Sequence, residues 1–529
     1  MATSATRALL TSAVVNARNT EIFVAKETSV GTLVYPSASG AVTVTEVTFA
    51  QTAGYTDVEA IRSSRTPIDK VFNRMDYGTF SVTLSAMPKQ VTSAGTSIAA
   101  PQNEGLFLEM AMGKVTDTDV DSPDVNAVVI TGLTAANPAV ATVGANHGFK
   151  VGDVVQIANV GGSDAADANK SVVNITAVGA TTVTTDLQLN GKTVTVSGST
   201  TMDLNCVRYE LAKNIGSFSM WMNRESSDGY AVIQHALAGC TIDTMSTSFD
   251  KSGELQFTFS GQCSRIFRGG SFTFDADIPN SSLTAVSGET TDLNPADVTF
   301  PGMRFDVMNT SNKTMAGESF VVASTHATDG TVTVNSITPS GAIESDTGIA
   351  QPILPTHSTQ SDSQVVSKRS GAVFFGAKNS MNTASGAKAT ANLLPVKTAS
   401  LDMSQAIETP LLEELNGTDF PDAAFLPGLR SSTGSFQLVV RGDDQKQYEK
   451  IRKDDRSSLV FKVGDSSKET YIEFYIPHAQ NEVPADSDVD GAPAQDFAFT
   501  ALEPQLDNMT ASGTEKAEAE FRIWYKPHQ

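Results

Sequence analysis

The stretch GTFSVTL at residues 78–84 returns as GSFQLVV at 434–440, and a third version, GSFSMWM, stands at 216–222. In each, every second side chain is apolar: Phe80, Val82 and Leu84; Phe436, Leu438 and Val440; Phe218, Met220 and Met222. A period of two is the mark of a strand with one face packed. Leu255, Phe257 and Phe259, the run Tyr471 to Ile476, and Phe521, Ile523 and Tyr525 read the same way. Thr, Ser, Val, Ala and Gly dominate the chain and long amphipathic windows are rare, so the fold class is mainly β.

Context separates true counterparts from partial ones. Gly78 follows a short strand (TEVTFA) and a long polar segment, and Gly434 follows ASLDMS and another. Each segment carries an arginine shortly before its glycine, Arg74 and Arg430. After each echo comes a short helix candidate: NEGLFLEMAMG, with Asn103 as N-cap and Gly113 as stop, and DDQKQYEKIRKD, capped by Asp443 or Asp444. The order strand, long loop, Gly-Ser/Thr-Phe strand, helix, further strands is therefore written twice, offset by 356 residues (434 − 78). GSFSMWM reads as a later strand of the first copy.

A weaker duplication links 149–187 with 300–337, each a strand after a Gly-containing turn, a polar loop, then two strands around a glycine. These are small β modules, one inserted in the first core and one between the cores, and both should be dispensable for the cores themselves. The expected division is 1–125 and 201–270 for the first core, 126–200 for the inserted module, 271–395 for the second module and a linker, and 396–529 for the second core.

At 529 residues the chain can bury several cores. Its formal charge of −22, from 37 basic and 59 acidic residues, argues against wrapping nucleic acid or an anionic membrane. Three cysteines (Cys206, Cys240, Cys263) make no disulfide framework and no zinc cluster. The N-terminal run is a poor signal peptide, and no apolar run is long enough for a membrane helix.

Chemistry-bearing motifs are sparse. DSDVDG at 486–491 opens like a calcium loop but places Phe497 where the bidentate glutamate belongs, and DTDVDSPD at 117–124 lacks the turn glycine; both read as acidic loops. RGD at 441–443 is explained by a turn and a helix cap, and the basic run 441–456 is interleaved with aspartates. The six histidines are scattered, with no HExxH, GxSxG or P-loop pattern. No catalytic residue, cofactor or metal is expected, and the chain reads as a non-enzyme.

The twice-written order resembles the tail tube proteins of long-tailed bacteriophages. The resemblance is carried by MDYGTFSVTLSAMPK, EGLFLEMAMG and the hairpin GCTIDTMSTSFDKSGELQFTFSGQC (239–263), then by LPGLRSSTGSFQLVVRGDD, TYIEFYIPHAQ and AEFRIWYK. It covers about half the chain and departs from the minimal family pattern by the two extra modules.

The resemblance implies two tandem tail-tube-type β-sandwich, barrel-forming cores, each with a short helix and a long loop. Two cores in a six-position ring imply trimeric rings of this chain with a pseudo-sixfold inner barrel, stacked helically into an acidic-lined conduit. DNA would pass through without specific binding and without a membrane. Partners would be a tape measure protein, a tail terminator and baseplate or tail-tip proteins, in a virion made in the host cytoplasm. The matching loops are 52–77 and 405–433. Their charged residues Arg62, Arg65, Lys70, Arg74, Glu413, Glu414, Asp419 and Arg430 are the expected inter-subunit contacts, the first set meeting acidic neighbours. A bacterial secretion-system tube and a surface β-module adhesin are the alternative readings.

Overall fold

A computed structural model describes residues 15–58, 69–88, 100–117, 125–229, 231–250, 252–273, 282–283, 298–309, 314–315, 319–325, 332–338, 349–356, 366, 368, 371–377, 393–408, 425–440, 456–464, 470–489, 491–503 and 520–527. Among them the chain is mainly β, with two α-helices, α1 (Gly105–Met112) and α2 (Ala165–Ala168). No helix among the described residues is long and apolar enough to cross a membrane.

The two echoes occupy matching places in matching sheets. Gly78–Ser85 pairs with Glu46–Ala50 on one side and Gln256–Cys263 on the other. Ser431–Val439 lies likewise between Val396–Ser404 and Ala492–Ala501. Alternation aims Phe80, Val82 and Leu84, and Phe436 and Leu438, into one apolar core shared by both copies. The echoed glycine has a steric cause. A Cβ on Gly78 would stand 2.6 Å from Cys263 Sγ, and one on Gly434 would stand 2.4 Å from both Phe499 Cζ and Ser400 O. The cross-strand neighbour fills the space a side chain would need, so Phe can follow two residues later.

One long strand per copy joins an inner to an outer sheet. The first half of Val232–Phe249 pairs with Phe218–Ser226, which holds the third echo, and with Arg265–Gly270. Its second half, from Thr241, pairs with Gln256–Cys263. Gly239 makes the switch with φ 66°, where a Cβ would stand 2.6 Å from Ser264 Oγ. Its N–H donates to the buried Glu27 carboxylate, which also accepts from Ser217, Ser219 and the Gly31 N–H. In the second copy Thr470–Asn481 pairs first with Arg522–Pro527 and Ser457–Val463, then with Ala492–Ala501, and Ala485–Val489 continues that last ladder.

Two further sheets cover the outer faces. Strands between Val128 and Leu204 form one, and strands between Phe272 and Pro352 form the other, with the same connectivity: first strand on last, last on the strand after the turn, then two more in sequence order. The turn itself is duplicated. Asp153 N–H donates to Lys150 O with Gly152 at φ 93°, and Met303 N–H donates to Phe300 O with Gly302 at φ 90°. The first module is inserted in the first copy, yet its core packs on Phe374, Val460, Tyr475 and Trp524 of the second. The second module packs on Phe23, Trp221 and Ala236 of the first. Each of the chain's two tryptophans thus sits under a module. The apolar clusters of the modules include side chains of the sheets beneath them.

Helix α1 ends at Gly113 in the left-handed region, φ 90°. Its N-cap is Glu104 rather than the expected Asn103, whose amide instead accepts from Thr43 N–H and donates to Ser85 O, tying two strands together. The second helix candidate, at 443–454, lies outside the described residues.

Gly434→Ala tests the steric reading of the echo. The added methyl meets the carbonyl of Ser400, which cannot rotate away, so a loss on the order of 1–3 kcal/mol is expected by denaturant unfolding. A variant as stable as the parent would show that the glycine is incidental.

Candidate assembly surface

The inner strands of both copies form one continuous antiparallel sheet. Its order is Glu46–Ala50, Gly78–Ser85, Gln256–Cys263, the second half of Val232–Phe249, Val396–Ser404, Ser431–Val439, Ala492–Ala501 and Ala485–Val489. The central joint is the pairing of Thr244 with Ser404 through Phe249 with Ala399, where the first copy meets the second. Phe249 stacks there on Phe461 at 5.4 Å and meets Phe474 edge-on at 5.2 Å. Gln405 of the second copy donates its amide to Ala111 O at the end of α1.

Opposite the apolar core, the sheet presents hydroxyls. Thr83 bonds Thr258 at 3.1 Å, Thr244 bonds Ser260 at 3.0 Å and Ser400 bonds Ser435 at 3.0 Å, each across a strand boundary. Further along, Gln437 donates to Asp496 at 2.8 Å. Glu46, Asp402 and Asp496 are the carboxylates that register and alternation place on this face. Partial burial raises the Asp402 pKa from its ordinary value. The strands of this sheet contain no arginine and one lysine, Lys397, which lines a cleft with Phe249 and Phe461. The face is thus hydroxyl-lined with scattered carboxylates, less densely acidic than the net charge suggests.

Both ends of the sheet are edges. Among the described residues, Glu46–Ala50 pairs only with Gly78–Ser85, and Ala485–Val489 only with Ala492–Ala501. The segment expected as a loop at 52–77 is an antiparallel hairpin, Ala53–Val58 with Asp69–Met75, leaving the sheet beside the first edge. Cross-strand pairing satisfies the inward half of its backbone, while Tyr55, Val71 and Phe72 stay exposed at 60%, 52% and 40%.

Of the expected contact residues, Lys70 pairs with Asp57 at 3.3 Å inside this hairpin, and Arg74 stands opposite Gly54 in it. Arg430 works within the chain. Its guanidinium meets Glu520 at 2.7 Å and donates to Ala212 O, bracing the boundary between copies. Arg62, Arg65, Glu413, Glu414 and Asp419 lie outside the described residues. The calcium-like DSDVDG is an edge strand and its turn, with Asp488 Oδ1 accepting from Gly491 N–H. Among the described residues no group of three or more His, Cys, Asp or Glu could hold a metal ion.

A buried ionic cluster, invisible in the sequence, fastens the first module to both copies. Arg208 meets Asp153, which also accepts from Trp524 Nε1 at 3.0 Å. Glu210 lies 2.5 Å from Lys150, 3.1 Å from Arg208 and 3.2 Å from Arg522. Burial opposes ionisation of Glu210, but Arg208, Arg522 and Lys150 outweigh it and hold the carboxyl below its usual range. Burial and the neighbouring Arg522 bring Lys150 down to about 8, against the pull of Glu210. Residues 150, 153, 208, 210 and 522 come from three separate stretches, so no local pattern could announce them.

Comparison with known proteins finds no family model that matches the chain and no curated protein that matches it.

Two outcomes follow from these buried groups. Asp153→Ala takes from the buried Arg208 one of its two carboxylates, leaving Glu210 shared with Lys150 and Arg522, and should cost about 3–5 kcal/mol in denaturant unfolding; a loss under 1 kcal/mol, about the worth of an exposed pair, would make the cluster ornamental. Glu104, fully buried, has its pKa pushed up to about 7 by burial, against hydrogen bonds from Met87 N–H and Tyr525 OH. The folded state therefore binds this proton more tightly than the unfolded state, and its contribution falls as pH rises from 4.5 to about 7. Glu104→Gln should remove about 3 kcal/mol of that decline, read as a flatter stability profile across the window.

Proposed function

We propose that this chain builds the wall of a phage-type tail tube, three chains to a ring. The observation that carries the reading is the joint inside the chain. One copy already adds its strands to the next copy's sheet, and the two outermost strands are open edges of the same kinds that meet in the middle. Repeating such a joint head to tail generates a closed ring or an open helix, and closure at six cores uses three chains. A closed barrel leaves no edge, which removes the aggregation hazard of an open sheet.

The remaining features fit this role. A wall of hydroxyls and sparse carboxylates without arginine offers DNA no guanidinium to pair its phosphates, and the charge of −22 adds long-range repulsion. The hairpin with exposed Tyr55, Val71 and Phe72 supplies an apolar projection for contact between stacked rings. The modules, alike in connectivity and seated on corresponding sheets, give the outside six similar projections per ring. A tape measure protein, a terminator and baseplate or tail-tip proteins are the partners such a tube needs, in a virion assembled from protein made in the host cytoplasm. A secretion-system tube would use the same geometry.

Negative-stain images of the purified chain, with native mass spectrometry of single rings, test the reading. Hollow tubes or rings of three chains are expected. Monomers throughout a concentration and salt series would overturn it, and rings of six chains would mean that one copy does not build the wall. Thr258→Lys with Ser400→Lys probes the lumen: the doubly substituted tubes should retain duplex DNA in a salt-dependent way and the parent tubes should not.

A further inference from the structure

The joint between chains can be written residue by residue from the joint within the chain. Phe80 and Phe436 are equivalent by the echo. Phe80 pairs with Phe49 and Phe436 with Ala399, which makes Phe49 equivalent to Ala399, a shift of 350 (399 − 49). On the other side Phe80 pairs with Gly261 and Phe436 with Phe497, so Ser260 matches Asp496. Ser260 pairs with Thr244 and Asp496 with Ala485, a shift of 241 (485 − 244). Inside the chain Thr244 faces Ser404 and Thr247 faces Leu401.

We infer that Ala485–Val489 of one copy pairs antiparallel with the 50–54 segment of a second copy, with Ala485 opposite Gly54 and Asp488 opposite Gln51. This deepens the tube reading by naming its ring joint. The backbone of each edge is compatible with this pairing. Ala86 N–H donates to Leu255 O, so the even residues of Gly78–Ser85 bond towards Gln256–Cys263 and the odd ones towards 46, 48 and 50. The N–H and C=O groups of 47 and 49, and of 51 in the same alternation, therefore point outwards. Val440 N–H donates to Pro493 O, which by the same argument turns the backbone groups of Asp486 and Asp488 outwards. In the intrachain joint Gln405 N–H donates to Asp243 O, so Met245, Thr247, Leu401 and Met403 carry the connecting bonds. Their transposed equivalents are Asp486, Asp488, Gln51 and Ala53, matching the parity of both free edges. That agreement follows from the shared side-chain face and strand direction, so the proposed joint is stereochemically consistent.

The two joints differ in chemistry. Met245 is fully buried and Thr247 nearly so, whereas Asp486 and Asp488 stand at the equivalent places. Charge on an exposed edge is a common guard against indiscriminate pairing. The inner joint, never open in the folded chain, carries one carboxylate, Asp402, opposite Ser246.

Cysteine cross-linking tests the register. Thr52 and Ser487 fall opposite each other as a pair without ladder hydrogen bonds, the arrangement that brings side chains closest. The three native cysteines are buried and free. Thr52→Cys and Ser487→Cys chains, mixed in equal amounts and oxidised with diamide, should convert up to about half of the protein to a cross-linked dimer, the share expected of random mixing around a ring, while each variant alone and the pairing of Thr52→Cys with Asp488→Cys stay at background. Ala50→Cys with Val489→Cys, two residues along the same face, gives a second reading should the first variants unfold. Background cross-linking in both pairs overturns the joint even where tubes form. Cross-linking without rings upholds the joint and overturns the tube.

Discussion

Everything in this architecture hangs on the antiparallel ladder between Thr244–Phe249 and Ala399–Ser404. A second ladder, Val207–Leu211 with Arg522–Pro527, also joins the two halves, but it is short. Through the first ladder the inner sheets fuse, the aromatic side chains of both copies share one core through Phe249, Phe461 and Phe474, and α1 is fastened by Gln405 from the other copy. Backbone pairing is what makes the joint repeatable: it needs only extended chain of the right parity, so the side chains around it were free to diverge.

The likeness between the two halves rests on a few positions, and those answer to geometry. Gly78 and Gly434 remain because Cys263 and Phe499 leave no room for a Cβ, and Phe80 and Phe436 remain because each fills the core beside them. These constraints are local, repeat with period two, and were therefore legible in the sequence, as were the helix stop at Gly113 and the separate strand groups of the modules.

What stayed hidden is what depends on distant partners. The 53–75 hairpin looks like a polar loop because its apolar residues stay exposed rather than marking a buried face. The docking of the first module on the second copy joins Val154 and its neighbours to Val460, Tyr475 and Trp524, hundreds of residues away. Arg430, one of the expected contact residues, pairs within the chain with Glu520, ninety residues on, a partner its own segment does not announce. Composition measures how much charge a segment carries, but only the fold decides which charges are already matched.

The crossed docking of the modules bears on how much the two copies can move. Each module is covalently tied to one part of the chain and packed on another, and the first is locked by Asp153, Arg208, Glu210 and Arg522, with each of the three stretches contributing charge. Rotating one copy against the other would shear that cluster and strip Arg208 of a partner, at a cost comparable to breaking a buried pair. The intrachain joint is thereby held from the outside as well as from within. The edges at Glu46–Ala50 and Ala485–Val489 have no such brace within a chain, so a wall built from this unit would yield at the joints between chains before it yields inside one.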